Sequence, residues 1–173
     1  MTGKEVRKIT LEFLKTLVIA FLLAHLIMVS VAQAFQVEQY SMEPNLLPRD
    51  RVLVNKFIYH FRPPRSGEII VLHPPNDPAR NYIKRVVAVE GQTVEIRDGH
   101  VYIDGHALRE PYLRAETNGD YGPQAVPPHE VFVLGDNRGN SEDSRAFGFV
   151  PARSIVGEAI LIYWPPPRLH VLY

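Results

Sequence analysis

The amino-acid sequence predicts a mainly β domain of antiparallel sheets, preceded by one N-terminal transmembrane helix. The chain of 173 residues contains 15 prolines and 11 glycines, which separate short runs rich in β-branched and apolar residues. This spacing of proline and glycine residues is typical of short strands joined by turns. One long stretch at the N-terminus lacks it, and residues 36–173 are enough for one domain with a sizeable core.

The N-terminal stretch predicts a membrane anchor over residues 9–35. Its apolar run exceeds the roughly 20 residues that cross a hydrocarbon core, whereas a cleaved signal peptide has an apolar region of roughly 7 to 15 residues. A retained anchor is therefore favoured over a cleaved signal peptide. Basic residues precede the run and Glu38 is the charge that follows it, so the positive-inside rule assigns residues 1–8 to the cytoplasm and residues 36–173 to the outer face.

The rest of the chain predicts strands wherever an apolar or β-branched run lies between proline or glycine residues. The predicted strands are residues 51–57, 68–72, 82–90, 94–97, 100–103, 131–134 and 155–164. The clearest hairpin joins two of them through Asp98-Gly99. Residues 103–130 contain several turn signals, and they predict a flap or small excursion from the sheet.

The composition excludes several classes of function. The formal net charge is zero, so nothing in the global charge favours a nucleic-acid partner. The absence of cysteine excludes disulfides, thiolate catalysis and zinc sites built on thiolates. The seven histidines include no pair at the i, i+4 spacing of a helical metal site. We expect neither a metal nor a cofactor.

Ser41 is the first candidate for chemistry, because it lies just beyond the apolar run. Pro44 locks its own φ and pushes Glu43 towards an extended conformation, so the backbone near the hydroxyl is fixed and non-helical. An ordinary turn or a helix N-cap is the competing interpretation, but Pro44 stands where a capping box needs Glu or Gln. A nucleophilic serine would also need a base.

Lys84 is the candidate base. It lies in the predicted strand 82–90, of which both faces are apolar and each carries one cation. An amine accepts a proton only when neutral, and desolvation on an apolar sheet face lowers a lysine pKa towards the ~7 to 8 that is useful for catalysis. Arg85 cannot act in this way because guanidinium stays protonated. An exposed strand lysine is the competing interpretation.

A polar run at residues 135–145 reads Gly-Asp-Asn-Arg-Gly-Asn-Ser-Glu-Asp-Ser-Arg. Its oxygen-bearing side chains suggest calcium, but Arg138 puts a cation where the Asp-x-Asn-x-Asn pattern needs an oxygen ligand. A structural loop is therefore favoured over a calcium site.

Three segments in this order resemble the bacterial type I signal peptidases of the small single-anchor type. They are Ser-Met-Glu-Pro at 41–44, Tyr-Ile-Lys-Arg-Val at 82–86 and the run at 135–145. The resemblance covers nearly the whole chain, as far as Trp164-Pro165. The departures from the family pattern are Asn45, Arg49 and Glu68, and none of them carries the proposed chemistry.

The resemblance implies the Ser-Lys protease fold that signal peptidases share with repressor-like proteins, and it implies roles by position. Ser41 would be the nucleophile, and Lys84 the general base that later protonates the leaving amine. The other positions would support the site: Ser141 would orient the lysine by a hydrogen bond, Asp143 and Arg145 would form a structural ion pair, and Asp136 and Arg138 would hold the loop.

The resemblance also implies a substrate and a location. The enzyme would remove signal peptides from secreted preproteins at the bacterial cytoplasmic membrane, with the lipid bilayer as its other partner, and we expect a monomer. Small pockets would accept the Ala-x-Ala pattern before the cut. Their apolar lining would be Val37, Met42, Leu46, Tyr82 and Ile83. The oxyanion would bind the Ser41 backbone N–H, joined either by the Gln39 carboxamide or by backbone donors alone.

Three alternatives remain open from the residues alone. A Ser-His-Asp enzyme could use His73, which follows a predicted strand, although a histidine beside two prolines is more often a surface turn residue. A non-catalytic anchored β-domain could act as an adaptor. A self-cleaving repressor-like protein would use the same chemistry, but such proteins are soluble and residues 9–35 count against this assignment.

Overall fold

A computed structural model describes residues 3–172 of the chain. Helix α1, Gly3–Val31, leads directly into strand β1, Ala32–Gln36. The prediction of one anchor helix over residues 9–35 is wrong at its C-terminal end, because the backbone of β1 pairs antiparallel with residues 51–55. Within residues 3–172, no helix combines the length and apolarity that crossing a membrane requires. Residues 1 and 2 of the predicted cytoplasmic end, and residue 173, lie outside the described part.

The rest of the chain is mostly β structure, as predicted. The further strands are β2 Arg51–Asn55, β3 Ile69–Leu72, β4 Tyr82–Val89, β5 Thr93–Arg97, β6 His100–Ile103, β7 His106–Ala107, β8 Tyr121–Ala125, β9 Glu130–Leu134, β10 Val150–Pro151, β11 Ile155–Trp164 and β12 His170–Val171. Short helical elements interrupt them: 3-10 helices at Ile58–His60, Ala152–Ser154 and Pro166–Arg168, and the single-turn helix α2 at Ser144–Phe147.

The strands form two antiparallel sheets. The larger sheet has the order β1-β2-β11-β3-β4-β9-β10, with β12 paired to β11, and the smaller sheet has the order β7-β6-β5-β8. The predicted hairpin through Asp98-Gly99 joins β5 to β6. Residues 103–130, predicted as a flap or small excursion, supply β7 and β8 to the smaller sheet because β6 and β5 offer them open edges.

The main core cluster fixes the segment that carries Ser41. After β1 the chain folds back over the larger sheet, and Val37, Met42 and Leu46 are buried against side chains of β2, β3 and β11. Met42 and Leu46 are fully buried. Burying side chains of this size contributes roughly 1.5–3 kcal/mol each, so apolar residues on both sides of Ser41 hold its turn on the sheet.

Candidate active site

Ser41 lies between β1 and β2 on a turn that backbone hydrogen bonds define. The Glu43 N–H donates to Tyr40 O at 3.1 Å, and the Leu46 N–H donates to Met42 O at 2.9 Å. A further bond of 2.9 Å runs from the Asn137 N–H to Ser41 O. The turn that carries the serine is thus joined through main-chain atoms to the polar loop at residues 135–145.

Lys84 lies on β4, where it pairs across the sheet with Ile70 of β3. The side chain is 2% exposed, and its Nζ donates a hydrogen bond of 2.8 Å to Ser41 Oγ. In the neutral form of the lysine, the same contact would let the amine accept the hydroxyl proton. The structure thus brings together two residues that are far apart in the chain.

Burial sets the charge state of this lysine. Desolvation lowers the pKa of Lys84 from 10.5 to about 8. The carboxylates of Asp143, Glu142 and Asp136 act in the opposite direction, because negative charge nearby favours the ammonium form. Desolvation is the larger effect, so the amine is neutral in a useful fraction of molecules near neutral pH.

The two side chains face a cleft of about 490 Å³. Residues 34–39 line one side of it and residues 80–83 line another. Of the predicted pocket residues, Val37, Tyr82 and Ile83 line the cleft, and Gln39 lines it with an exposed side chain. The assignment of Met42 and Leu46 to the pocket needs correction, since both are fully buried in the core.

The loop at 135–145 is held from inside by the buried carboxylate of Asp143. This carboxylate pairs with Arg145 at 2.9 Å and accepts from the Gly135 N–H at 3.1 Å. Asp143 also caps α2, where it accepts from the Arg145 N–H. The ion pair that the resemblance implied is therefore present and forms part of the loop.

Asp136 and Arg138 fix the other end of this loop. Asp136 is buried and forms two bonds with the Arg85 guanidinium, of 2.8 and 2.7 Å, while Asn45 donates to it at 2.7 Å. The Arg138 guanidinium pairs with Glu110 and donates to Thr117. The loop thus rests on partners from three separate parts of the chain.

Sequence reasoning missed the residues of the 103–130 segment that support the site. Glu110 and Thr117 hold Arg138, and the ring of Tyr112 lies 4.0 Å from the Arg85 guanidinium. Their positions carry no motif, so the only available signal is the need of buried Arg138 for a carboxylate partner.

Ser141 Oγ is buried and has no hydrogen-bond partner among residues 3–172. The expected bond to Lys84 is therefore not made in this structure, and the orienting role stays a prediction. The hydroxyl packs tightly against Gly135, where an added Cβ would lie 2.2 Å from Ser141 Oγ and 2.5 Å from Ser41 O.

His73 occupies a different environment. Its Nδ1 bonds to Arg80 O at 3.1 Å, whereas the hydroxyl of Ser41 is bonded by Lys84. In the described part of the chain, no group of three or more His, Asp or Glu side chains is arranged to hold a metal ion.

An antiparallel β domain with a serine and a buried lysine side by side in a cleft is typical of serine peptidases that use lysine in place of histidine. The family model described as signal peptidase, peptidase S26, matches residues 10–164. This chain belongs to that family and is a hydrolase of the signal peptidase I type.

Curated relatives match along most of their length. A signal peptidase I of Leptolyngbya laminosa is 42% identical over 92% of this chain and 82% of the relative. A probable signal peptidase I-1 of Synechocystis is 42% identical over 91% and 84%. Signal peptidase I S of Bacillus subtilis is 37% identical over 92% and 91%. The crystal structure of a signal peptidase I from Enterococcus faecalis superposes with a TM-score of 0.51 at 34% identity, over 56% of this chain and 97% of that one.

Proposed function

We propose that this chain removes signal peptides from secreted preproteins through a Ser-Lys dyad, with Ser41 as the nucleophile and Lys84 as the general base. The observation that carries the proposal is the 2.8 Å contact between Ser41 Oγ and the buried Lys84 Nζ. A serine hydroxyl attacks only when a neighbouring base takes its proton, and a buried amine of lowered pKa is such a base.

The reaction follows the acyl-enzyme route. Neutral Lys84 takes the Ser41 proton while Oγ attacks the carbonyl carbon of the scissile peptide bond. The resulting ammonium then gives this proton to the leaving amine, and the acyl group stays on Ser41. Water attacks the ester with Lys84 again as base, and the reverse proton transfer frees the serine. The roles of Asp143, Arg145, Asp136 and Arg138 are to hold the loop beside the dyad.

Negative charge that develops on the carbonyl oxygen needs donors already aimed at it. The Ser41 backbone N–H supplies the first. Gln39 lines the cleft two residues earlier, and its carboxamide N–H supplies the second. The long glutamine side chain loses more rotamer freedom than a serine would, so it is harder to hold in the one geometry that the oxyanion needs.

The substrate binds as an extended strand beside β4. Tyr82, Ile83 and Lys84 pair with β3 on one side, whereas β9 pairs with β4 only from Arg85 onwards. That leaves main-chain groups next to the dyad available for an added strand, with pockets for alternate side chains. Small pockets lined by Val37, Tyr82 and Ile83 accept alanine at the first and third positions before the cut.

The domain works at the outer face of the bacterial cytoplasmic membrane, with the bilayer and the preprotein as its partners. Residues 9–25 of α1 are exposed all round, including Phe13 at 65% and Phe21 at 70%. Exposed apolar side chains of this size are favoured in an apolar surrounding such as the bilayer. Protease added outside intact spheroplasts should degrade residues 36–173, and protection of this domain would contradict the orientation.

The decisive experiment compares preprotein processing by the wild type, Ser41→Ala and Lys84→Ala. Both variants should lose processing, while the matched control Ser66→Ala should keep it. Ser66 loses one hydrogen bond, 2.9 Å to Val87 O, outside the cleft. Full processing by either dyad variant would favour the interpretation of the domain as a non-catalytic adaptor, and a loss of the same size in His73→Ala would move the base to histidine.

A further inference from the structure

Glu142 joins three segments around the cleft. It belongs to the loop at 135–145, its Oε2 accepts from the Tyr82 hydroxyl of β4 at 2.8 Å, and its Oε1 accepts from Asn76 Nδ2 at 2.9 Å. Asn76 lies on the connection between β3 and β4, which continues into cleft residues 80 and 81. One exposed side chain therefore fastens the connection and the start of β4 to the loop beside the dyad.

Tyr82 connects this glutamate to the proposed base. The Lys84 Nζ lies 5.1 Å from the centroid of the Tyr82 ring, and the Phe147 ring lies 6.3 Å from it. Tyr82 itself is half-buried and lines the cleft. The ring thus lies beside the lysine amine in the cleft that both residues line, with its hydroxyl held by the Glu142 carboxylate.

We propose that Glu142 is a positioning residue, which holds the Tyr82 ring against Lys84 through the phenol hydroxyl and so limits the access of water to the base. The inference rests on the proposed role of Lys84. Glu142 touches neither reacting atom, so Tyr82 transmits its positioning effect to Lys84. The Glu142, Tyr82 and Asn76 side chains are called the clasp below.

Glu142 has two opposite effects on the charge state of Lys84. Lys84 faces the carboxylates of Asp143 and Asp136, which are paired with Arg145 and Arg85, and it faces that of Glu142, whose hydrogen-bond partners are neutral. On the side of Tyr82 lie the charged groups of Arg80 and Asp77, which pair with each other at 3.0 Å. Glu142 therefore adds a negative charge that favours the ammonium form, and a tether that favours the neutral amine by excluding water.

Two variants separate the tether from the charge. Tyr82→Phe keeps the ring and the Glu142 charge but removes the bond between them. Glu142→Gln removes the charge but keeps an oxygen acceptor and an N–H donor at the same reach. If the clasp holds the ring, the apparent pKa of kcat/KM should rise in Tyr82→Phe and fall in Glu142→Gln.

The measurement is kcat/KM against pH for the full-length enzyme in detergent micelles, with an Ala-x-Ala preprotein. We expect Tyr82→Phe to be about threefold slower than the wild type at pH 7 and to recover at pH 10, as a rise of about half a pH unit requires. A merely structural contact would lower activity equally at all pH values.

Tyr59→Phe is the matched control. Its phenol makes the same kind of bond, 2.9 Å to a Glu68 carboxylate oxygen, on the connection between β2 and β3. This variant should leave the pH profile unchanged. An unchanged profile in Tyr82→Phe as well would overturn the inference, and so would a fall in apparent pKa in that variant.

The two proposals fail in distinguishable ways. Suppose that Ser41→Ala and Lys84→Ala lose processing while the pH profile of Tyr82→Phe matches that of the wild type. This result would refute the proposed role of the clasp and leave the proposed dyad intact. Retained processing in Lys84→Ala would refute the dyad, and the clasp with it. Should Tyr82→Phe be recovered unfolded, Asn76→Ala weakens the same tether without changing charge, and it should also raise the apparent pKa of kcat/KM.

Discussion

Replacing Lys84 with methionine should make the protein more stable below pH 8, although it removes the proposed base. The lysine is 2% exposed, and burial lowers its pKa from 10.5 to about 8. The folded state therefore holds the Lys84 proton less tightly than the unfolded state does. Since the unfolded state binds more protons between these two values, the lysine costs stability at low pH, and this cost fades as the pH rises from about 8 to 10.5.

The size of the effect follows from the two pKa values. A fall from 10.5 to about 8 corresponds to about 3 kcal/mol at 1.36 kcal/mol for each pH unit. Nearly all of this cost is present at pH 7, and less than about 1 kcal/mol remains at pH 10.5. The difference in free energy of unfolding between Lys84→Met and the wild type should therefore narrow by about 3 kcal/mol across this range.

Urea unfolding in detergent micelles measures this difference, with the fluorescence of the single tryptophan, Trp164, as the probe. Comparing two proteins at each pH cancels every titration that they share. Lys56→Met controls for the exchange of lysine for methionine outside the cleft. Unfolding free energies that differ by the same amount at pH 7 and pH 10.5 would refute the claim that the Lys84 amine is held in a desolvated site.

Four further predictions concern activity. The kcat/KM of the wild type should rise about tenfold from pH 7 to pH 9, because the neutral fraction of a lysine with a pKa of about 8 grows from about one tenth to about nine tenths, and Lys84→Arg should be inactive throughout. Gly135→Ala should lose at least about tenfold in kcat and about 1–3 kcal/mol in stability, because its methyl would lie 2.2 Å from Ser141 Oγ. The control Gly139→Ala should be tolerated, since the nearest contact of its methyl would be 3.4 Å, and equal behaviour of the two variants would contradict the packing argument. Gln39→Ala should lower kcat by roughly 10² to 10³ with little change in KM, and unaltered kinetics would leave backbone groups as the sole oxyanion donors. A preprotein with a bulky residue in place of the alanine next to the cut should not be processed, and cleavage of both preproteins at one rate would argue against small pockets.

The sequence paired Ser41 with Lys84, which are in contact in the structure, but it did not predict most of the residues that support them. Ser41 and Lys84 stand in recognisable segments, so they could be paired without knowing the fold. Met42 and Leu46 were assigned to the pocket because they neighbour Ser41 in the chain, but the turn after β1 directs them into the core. Neighbours along an irregular segment face different directions, and no periodicity reports which.

Contacts between distant segments could not be predicted from the sequence either. Glu110 meets Arg138, and Asn76 meets Glu142, only after the sheets have formed. The sequence places the end of α1 too late because residues 32–36 are mostly apolar, and this composition fits a helix as well as a strand. Only the pairing with β2 makes these residues a strand. Pairing over long separations leaves no local trace in composition or spacing.

The direct junction of α1 with β1 limits the distance between the end of the helix and Ser41. Ser41 lies nine positions after Ala32, and a chain of this length spans at most about 30 Å. The start of this segment is rigid, because β1 is paired along its length with β2 and the Lys56 N–H donates to Val31 O at 2.9 Å. If the chain takes the proposed orientation and Ser41 is the nucleophile, these contacts hold it at a set distance from the membrane surface, and we expect the enzyme to select the length of preprotein between the apolar part and the cut.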